Sequence, residues 1–169
     1  INMLFWKLYS LRTRKRDARD RDGNLQPCCS IQQTEVRKMA TLELKEEGNR
    51  AFSSNNLKLA IEKYSSALDS IKADEWKQEK ALGDLYATCL SNRAACRLRI
   101  AKASVDVDSK ENLNKCIDDC TNALEARPGT TKALYRRAQA KLILQDASSA
   151  VQDLSRLIHM EPQNKEAGT

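Results

Sequence analysis

The sequence contains few histidines, aromatic residues, prolines or glycines. Its 169 residues include a single histidine, His159, with three prolines and five glycines, and aromatic residues make up 5%. One histidine excludes most His-based catalysis and most zinc sites. The scarcity of turn-forming residues, with 31% charged and 41% hydrophobic residues, favours an all-α protein over a strand-and-turn or low-complexity chain. We therefore expect a helical protein that is not an enzyme.

Long hydrophobic runs are also missing. The longest apolar stretches are only a few residues, whereas a helix needs roughly 20 such residues to span a bilayer. We therefore expect no membrane association. At 19.1 kDa the chain has room for one domain that buries its own core, and for a tail.

The positive charge lies in the first 38 residues. Residues 1–38 hold nine Lys/Arg and four Asp/Glu, a net charge of +5, whereas residues 39–169 hold twenty and nineteen. The basic run comprises Arg12, Arg14, Lys15, Arg16, Arg19 and Arg21. Such a run can bind nucleic acid, but interspersed aspartates favour a solvated, disordered tail, and we expect no nucleic-acid partner. Because Met39 directly precedes the first clear helix, we hypothesise that residues 1–38 are upstream sequence.

The six cysteines show no metal-site spacing. Two lie in the tail, and the other four lie within helical patterns: Cys89, Cys96, Cys116 and Cys120. The last two share a helix face, but no second pair or histidine stands at a matching interval. Because a thiol packs as a small apolar group, we expect these four in the core of a protein from a reducing compartment, without a metal or cofactor.

A spacing of small and apolar residues recurs after 34 residues. It is present in full in Cys116, Cys120, Ala123 and Pro128 and in Ala150, Leu154, Leu157 and Pro162, and without the proline in Ala60, Tyr64 and Ala67. Each set lies on one side of a helix, which predicts a buried face. A further helix precedes each, so we predict three helical pairs: 42–54 with 57–71, about 75–101 with 111–126, and 131–144 with 147–160.

A glycine inside a helix and two insertions depart from a regular 34-residue repeat. Gly48 stands inside a predicted helix, where glycine costs about 1 kcal/mol relative to alanine, so we expect a packing reason for it. Extra residues at 72–80 and 101–111 are expected to lengthen the join between the first two pairs and the turn inside the second.

This pattern resembles the tetratricopeptide repeat (TPR), a 34-residue helical hairpin. The resemblance implies three hairpins stacked in a right-handed superhelix, an α-solenoid, because one hairpin cannot bury its own apolar face. We place the repeats at about 42–72, 87–128 and 131–162, within a domain covering 39–165 and followed by a short tail at 166–169.

In such a stack the first helix of each pair lines the concave surface. On these helices we find Lys45 and Asn49, then Asn92, then Lys132 and Arg136. Each four-spaced pair shares a helix face. We expect a positive, hydrogen-bonding pocket without a nearby acid, and its chemical complement is a pair of carboxylates.

The segments that carry these five residues resemble those of carboxylate-clamp TPR domains of co-chaperones. They read LKEEGN at 44–49, LSNRAA at 90–95 and TKALYRRA at 131–138. By this resemblance the groove binds the C-terminal Met-Glu-Glu-Val-Asp of Hsp90 or the Ile-Glu-Glu-Val-Asp of Hsp70. Lys45, Asn49 and Asn92 would hold the terminal carboxylate, Lys132 the side chain of the last aspartate, and Arg136 the peptide further along.

Three further groove contacts are expected less directly. Phe52 and Ala95 would form an apolar shelf for the penultimate valine, with core packing as the alternative for Ala95, and Arg99 would meet an upstream glutamate.

Among clamp domains, the third repeat most resembles the N-terminal domain of UNC-45-type myosin chaperones. The resemblance implies a cytoplasmic adaptor that brings Hsp90 or Hsp70 to a client, with myosin as the candidate. Clamp domains usually carry an additional capping helix after the last hairpin, and we expect none here. We therefore expect partial exposure of Ile143, Leu154, Leu157 and Ile158. The alternatives are a receptor of mitochondrial protein import, which uses the same clamp, and a general protein-interaction scaffold.

Overall fold

The computed structural model describes residues 28–71, 75–103 and 107–160. All regular structure in these residues is helical, which confirms the predicted fold class. The helices are α1 (Cys28–Ser53), α2 (Leu57–Asp69), α3 (Glu75–Gln78), α4 (Lys80–Ala103), α5 (Val107–Ala126), α6 (Thr131–Ile143) and α7 (Ala147–Met160). The chain divides into two units after Val36, and the contacts below belong to the second, which begins at Arg37.

Three hairpins form the domain: α1 with α2, α4 with α5, and α6 with α7, with the short α3 between the first two. Helix α4 contacts α2 and α6, and α5 contacts α6, so the hairpins are stacked. The observed helices depart from the predicted ones in three main ways. The first helix begins at Cys28 rather than at 42, the helix predicted at 75–101 is interrupted at Glu79, and the helix predicted at 111–126 begins at Val107.

The interruption at Glu79 lets α3 fold back on α4. The rings of Trp76 and Tyr86 stack with centroids 5.2 Å apart and planes 2° from parallel. Gly83 makes this approach possible, since a Cβ there would lie 2.9 Å from the backbone oxygen of Trp76. The second insertion does not form the long turn that we expected. It extends α4 to Ala103 and starts α5 at Val107, because added helical turns keep backbone groups hydrogen-bonded.

The first and third hairpins turn in the same way. Asn55 and Gln145 adopt left-handed backbone conformations, with φ of 61° and 65°. At Asn55 and the residue after it, backbone N–H groups donate to the carbonyls of Phe52 and Ala51, at 3.0 and 2.9 Å. This is the Schellman arrangement, which satisfies the last carbonyls of a helix. The same two bonds recur at Gln145.

The 34-residue pattern marks the buried helix faces, as predicted. All its members in α2 and α5 are buried, as are Ala150 and Leu157 in α7, and Leu154 is half-buried. The four helical cysteines are also completely buried, which confirms their core position.

Gly48 has the predicted packing reason. A Cβ at this position would lie 2.6 to 2.9 Å from three carbons of the Tyr64 ring, so only glycine lets α1 come this close to α2. The first hairpin is thus closed by a glycine against a buried aromatic ring.

An ion pair crosses each hairpin at the same register. In each hairpin a residue of the first helix pairs with the second-helix residue that directly precedes Tyr64, Cys120 or Leu154. The first helix supplies the acid in the first repeat and the arginine in the other two. The pairs are Glu47–Lys63 at 2.7 Å, Arg93–Asp119 at 2.7 Å and Arg137–Asp153 at 2.5 Å. These pairs place the three hairpins in a common register.

The two arginines of this series also reach the preceding hairpin. Arg93 donates to Ser65 Oγ at 2.9 Å, and Arg137 donates to Thr121 Oγ1 at 3.1 Å. Each guanidinium therefore ties its own hairpin together and joins it to the preceding one, as the rigid multi-donor fork of arginine allows.

Exposure on the last hairpin matches the prediction in part. Ile143 and Ile158 are exposed at 44% and 40%, and Leu154 is half-buried. The expectation for Leu157 was wrong. It is 0% exposed, because it belongs to the same core cluster as Leu134 of the partner helix α6.

Candidate functional site

The first helices α1, α4 and α6 carry the five predicted clamp residues, and hydrogen bonds link these helices. Asn92 Nδ2 donates to Asn49 Oδ1 at 3.2 Å, which joins α4 to α1. Arg136 Nη1 donates to the backbone oxygen of Ser91 at 2.8 Å and to its hydroxyl, which joins α6 to α4. Members of the predicted set thus lie at two helix interfaces that both involve α4.

Asn49 is held in one orientation by two donors. Its Oδ1 accepts from Asn92 and also from the hydroxyl of Tyr64, at 2.7 Å. Burial raises the pKa of Tyr64 to about 12, so the hydroxyl stays protonated and able to donate near neutral pH. Because both donors use the carbonyl oxygen, the Nδ2 group of Asn49 points away from them as a donor for another partner.

That partner is Glu46, and it corrects the expectation of a pocket without an acid. Lys45 Nζ lies 2.9 Å from Glu46 Oε1, and Asn49 Nδ2 donates to Glu46 Oε2 at 3.1 Å. The hydrogen bond from Lys45, and then that from Asn49, lower the pKa of the Glu46 carboxyl. A carboxylate therefore already lies against two of the predicted clamp donors.

The two cations on α6 differ in environment. Arg136 is half-buried, and burial lowers its pKa, although a guanidinium remains charged near neutral pH. Within the described residues its hydrogen bonds use only Nη1. Lys132, one turn earlier, is exposed and makes no hydrogen bond or ion pair to any residue that the structure describes. Arg136 is therefore held by hydrogen bonds to α4, whereas no described residue holds Lys132.

The three additional groove residues also lie on α1 and α4. The Arg99 guanidinium carbon lies 5.6 Å from the centre of the Phe52 ring, within cation–π distance. Phe52 is half-buried against a cluster that contains Ala51, Ala60, Tyr64 and Cys96. Ala95 is half-buried one turn before Arg99. Of the predicted shelf residues, Phe52 therefore lies directly against the predicted cation, Arg99.

Sequence reasoning missed Tyr64, Glu46 and Ser91 as parts of this site. Tyr64 was interpreted only as a buried-face residue, yet its hydroxyl is the signal, because a buried Tyr O–H needs a hydrogen-bond partner. The position of Glu46, between Lys45 and Glu47, gave no reason to prefer one partner over another.

The remaining expectations concern the chain termini, metal sites and membrane-spanning helices. The basic run at 12–21 and the residues after 160 lie outside the described residues. In the described part of the chain, no group of three or more His, Cys, Asp or Glu side chains is arranged to hold a metal ion. None of the described helices is long and apolar enough to cross a membrane.

Stacked helical hairpins with a 34-residue buried pattern and a common inter-helix register define a TPR domain. No protein-family model matches the sequence. Among curated proteins, the chain is 34% identical over 125 residues to UNC-45 homolog B of Danio rerio, covering 74% of this chain and 12% of that protein. The chain thus spans about one eighth of that relative's length.

Solved structures agree with this classification. The TM-score is 0.60 to the C. elegans myosin chaperone UNC-45 in complex with an Hsp90 peptide, with 28% identity, covering 75% of this chain and 12% of that one. The second TPR domain of human RPAP3, in complex with the Hsp70 peptide SGPTIEEVD, has a TM-score of 0.62 and 26% identity, covering 78% of this chain and 91% of that one. The chain carries a TPR domain like that of UNC-45.

Proposed function

We propose that this domain binds the C-terminal EEVD peptide of Hsp90 or Hsp70 through a carboxylate clamp. The observation that carries the proposal is the linked pair Asn49 and Asn92, with Lys45 beside it. Together they present amide and ammonium donors from two helices, and one carboxylate already occupies part of the set. Related TPR domains bound to Hsp90 and Hsp70 peptides support this choice of ligand.

The residue roles follow the chemistry of a chain that ends in aspartate. Such a residue has two carboxylates, so it can use two separate groups of donors. Lys45, Asn49 and Asn92 receive the main-chain carboxylate, and the exposed Lys132 pairs with the aspartate side chain. Arg136, which is anchored through Nη1, bonds the peptide further along with its remaining donors.

Upstream peptide residues contact the second part of the groove. Phe52 and Ala95 form the shelf for valine, and Arg99, already against the Phe52 ring, meets an upstream glutamate. In the cytoplasm the domain acts as an adaptor that recruits the chaperone to a client. Myosin is the candidate client because of the likeness to UNC-45.

Calorimetric titration with Met-Glu-Glu-Val-Asp tests the proposal, with the same peptide carrying a C-terminal amide as the paired ligand. We expect micromolar binding, about −8 kcal/mol, of the free acid only. Equal binding of both forms would indicate a scaffold that does not recognise a chain end. No binding of either form would refute the clamp.

A charge reversal at Lys132 tests the site. Lys132→Glu is expected to abolish binding without changing helicity, because this exposed side chain makes no described ion pair or hydrogen bond. Lys110→Glu, an exposed lysine on the second helix of its hairpin, is the matched control and should bind normally. Loss of helical circular dichroism in Lys132→Glu would indicate a structural role instead.

A further inference from the structure

Glu46 occupies part of the groove that the proposed function assigns to the peptide. One oxygen of its carboxylate lies 2.9 Å from Lys45 Nζ, and the other accepts from Asn49 Nδ2 at 3.1 Å. These are two of the three groups assigned to the peptide's terminal carboxylate. A carboxylate with both oxygens against amine and amide donors has the same chemistry as a chain end.

The register of the repeats places Glu46 on the binding face independently of these contacts. Glu47, Arg93 and Arg137 make the equivalent hairpin-crossing ion pairs, so they hold the same register on their first helices. The residues immediately before them are therefore also equivalent: Glu46, Asn92 and Arg136. Two of these three are clamp residues, and the third is the acid.

We propose that Glu46 is an internal competitor that occupies Lys45 and Asn49 in the free domain and must be displaced by the peptide's terminal carboxylate. The proposal rests on the function proposed above. It makes Glu46 a determinant of affinity.

The exchange costs little, because Glu46 is held weakly. Its side chain is 54% exposed, so on release it returns to water. Exposed ion pairs contribute little to stability, and removing the competitor is therefore expected to tighten peptide binding about two- to fivefold. Glu47 differs, because it pairs with Lys63 across the hairpin, away from the clamp donors.

The test compares Glu46→Gln with Glu47→Gln by calorimetric titration of Met-Glu-Glu-Val-Asp. Both variants lose one negative charge from neighbouring positions of α1, so the comparison separates displacement from general repulsion of an acidic peptide. We expect Glu46→Gln to bind about two- to fivefold more tightly than Glu47→Gln. Equal affinities of the two variants, or weaker binding by Glu46→Gln, would overturn the proposal, since Glu46 would then be inert or would hold Lys45 in place for the peptide.

A spectroscopic measurement follows the exchange directly. The side-chain amide signals of Asn49 are compared by NMR in wild type and Glu46→Gln, before and after saturation with peptide. We expect different signals in the free proteins and coincident signals in the complexes, because the peptide has replaced Glu46 at Nδ2. A difference that persists in the complex would contradict displacement. If wild type binds no peptide, the proposed function fails and not merely this inference.

Discussion

The contact between Gly48 and Tyr64 allows us to predict whether Gly48→Ala raises or lowers the free energy of unfolding. Gly48→Ala adds a methyl group 2.6 to 2.9 Å from three ring carbons of Tyr64, whereas carbon atoms normally pack about 3.5 to 4.0 Å apart. The ring must therefore move by about 1 Å. It cannot do so freely, because it is buried and its hydroxyl bonds to Asn49.

Two effects of opposite sign determine the result. Alanine in a helix interior is about 1 kcal/mol more favourable than glycine. Overpacking a core typically costs about 1–3 kcal/mol, and the pinned ring favours the upper end. We therefore expect Gly48→Ala to lower the free energy of unfolding by about 2 kcal/mol. Because the ring carries the Tyr64 hydroxyl away from Asn49, the folded variant should also bind the peptide more weakly.

Urea unfolding in two backgrounds isolates the steric effect. With Tyr64→Leu the clashing ring is absent, so adding Gly48→Ala should raise the free energy of unfolding, by up to about 1 kcal/mol. The reasoning would be refuted if Gly48→Ala were stabilising beside Tyr64, or as destabilising beside leucine as beside tyrosine.

Three further substitutions or reactions have predictable outcomes. Asp119 is 2% exposed and pairs with two arginines of α4. Asp119→Ala should lower the free energy of unfolding in urea by about 3 kcal/mol, whereas Asp118→Ala, at an exposed neighbouring position, should change it little. Gln145→Gly should raise the free energy of unfolding by about 1 kcal/mol, because glycine adopts the left-handed conformation of this position without strain. A lower free energy of unfolding in the same urea assay would contradict this prediction. Burial raises the pKa of Cys89 to about 12, so its alkylation by iodoacetamide at pH 8 should be far slower than that of a free thiol; labelling as fast as in urea would contradict its burial.

The buried helix faces were predictable because their signal is local. The spacing of Ala60, Tyr64 and Ala67, and its recurrence after Cys116 and Ala150, follows from helical geometry and the need to bury small and apolar residues. The same holds for Gly48, since a glycine inside a helix needs a packing reason. Helix boundaries were less predictable: the break at Glu79 depends on Trp76 stacking against α4, which is a contact between elements.

The positions of the five predicted clamp residues on the first helices of the repeats could be predicted from the sequence, because they follow from the helical period. Their partners could not be selected. Whether Glu46 faces Lys45 or a neighbouring helix depends on the packing of α1, and the role of the Tyr64 hydroxyl depends on how closely Gly48 lets two helices approach.

By itself the sequence determined the helical repeat, its buried faces and the residue types of the site, because periodicity and composition act along the chain. Only the tertiary structure decided which polar groups meet. Pairing of Glu47 with Lys63, and of Glu46 with Lys45 and Asn49, depends on distances of about 3 Å between side chains. Such distances arise when helices pack, and no local pattern in the chain encodes them.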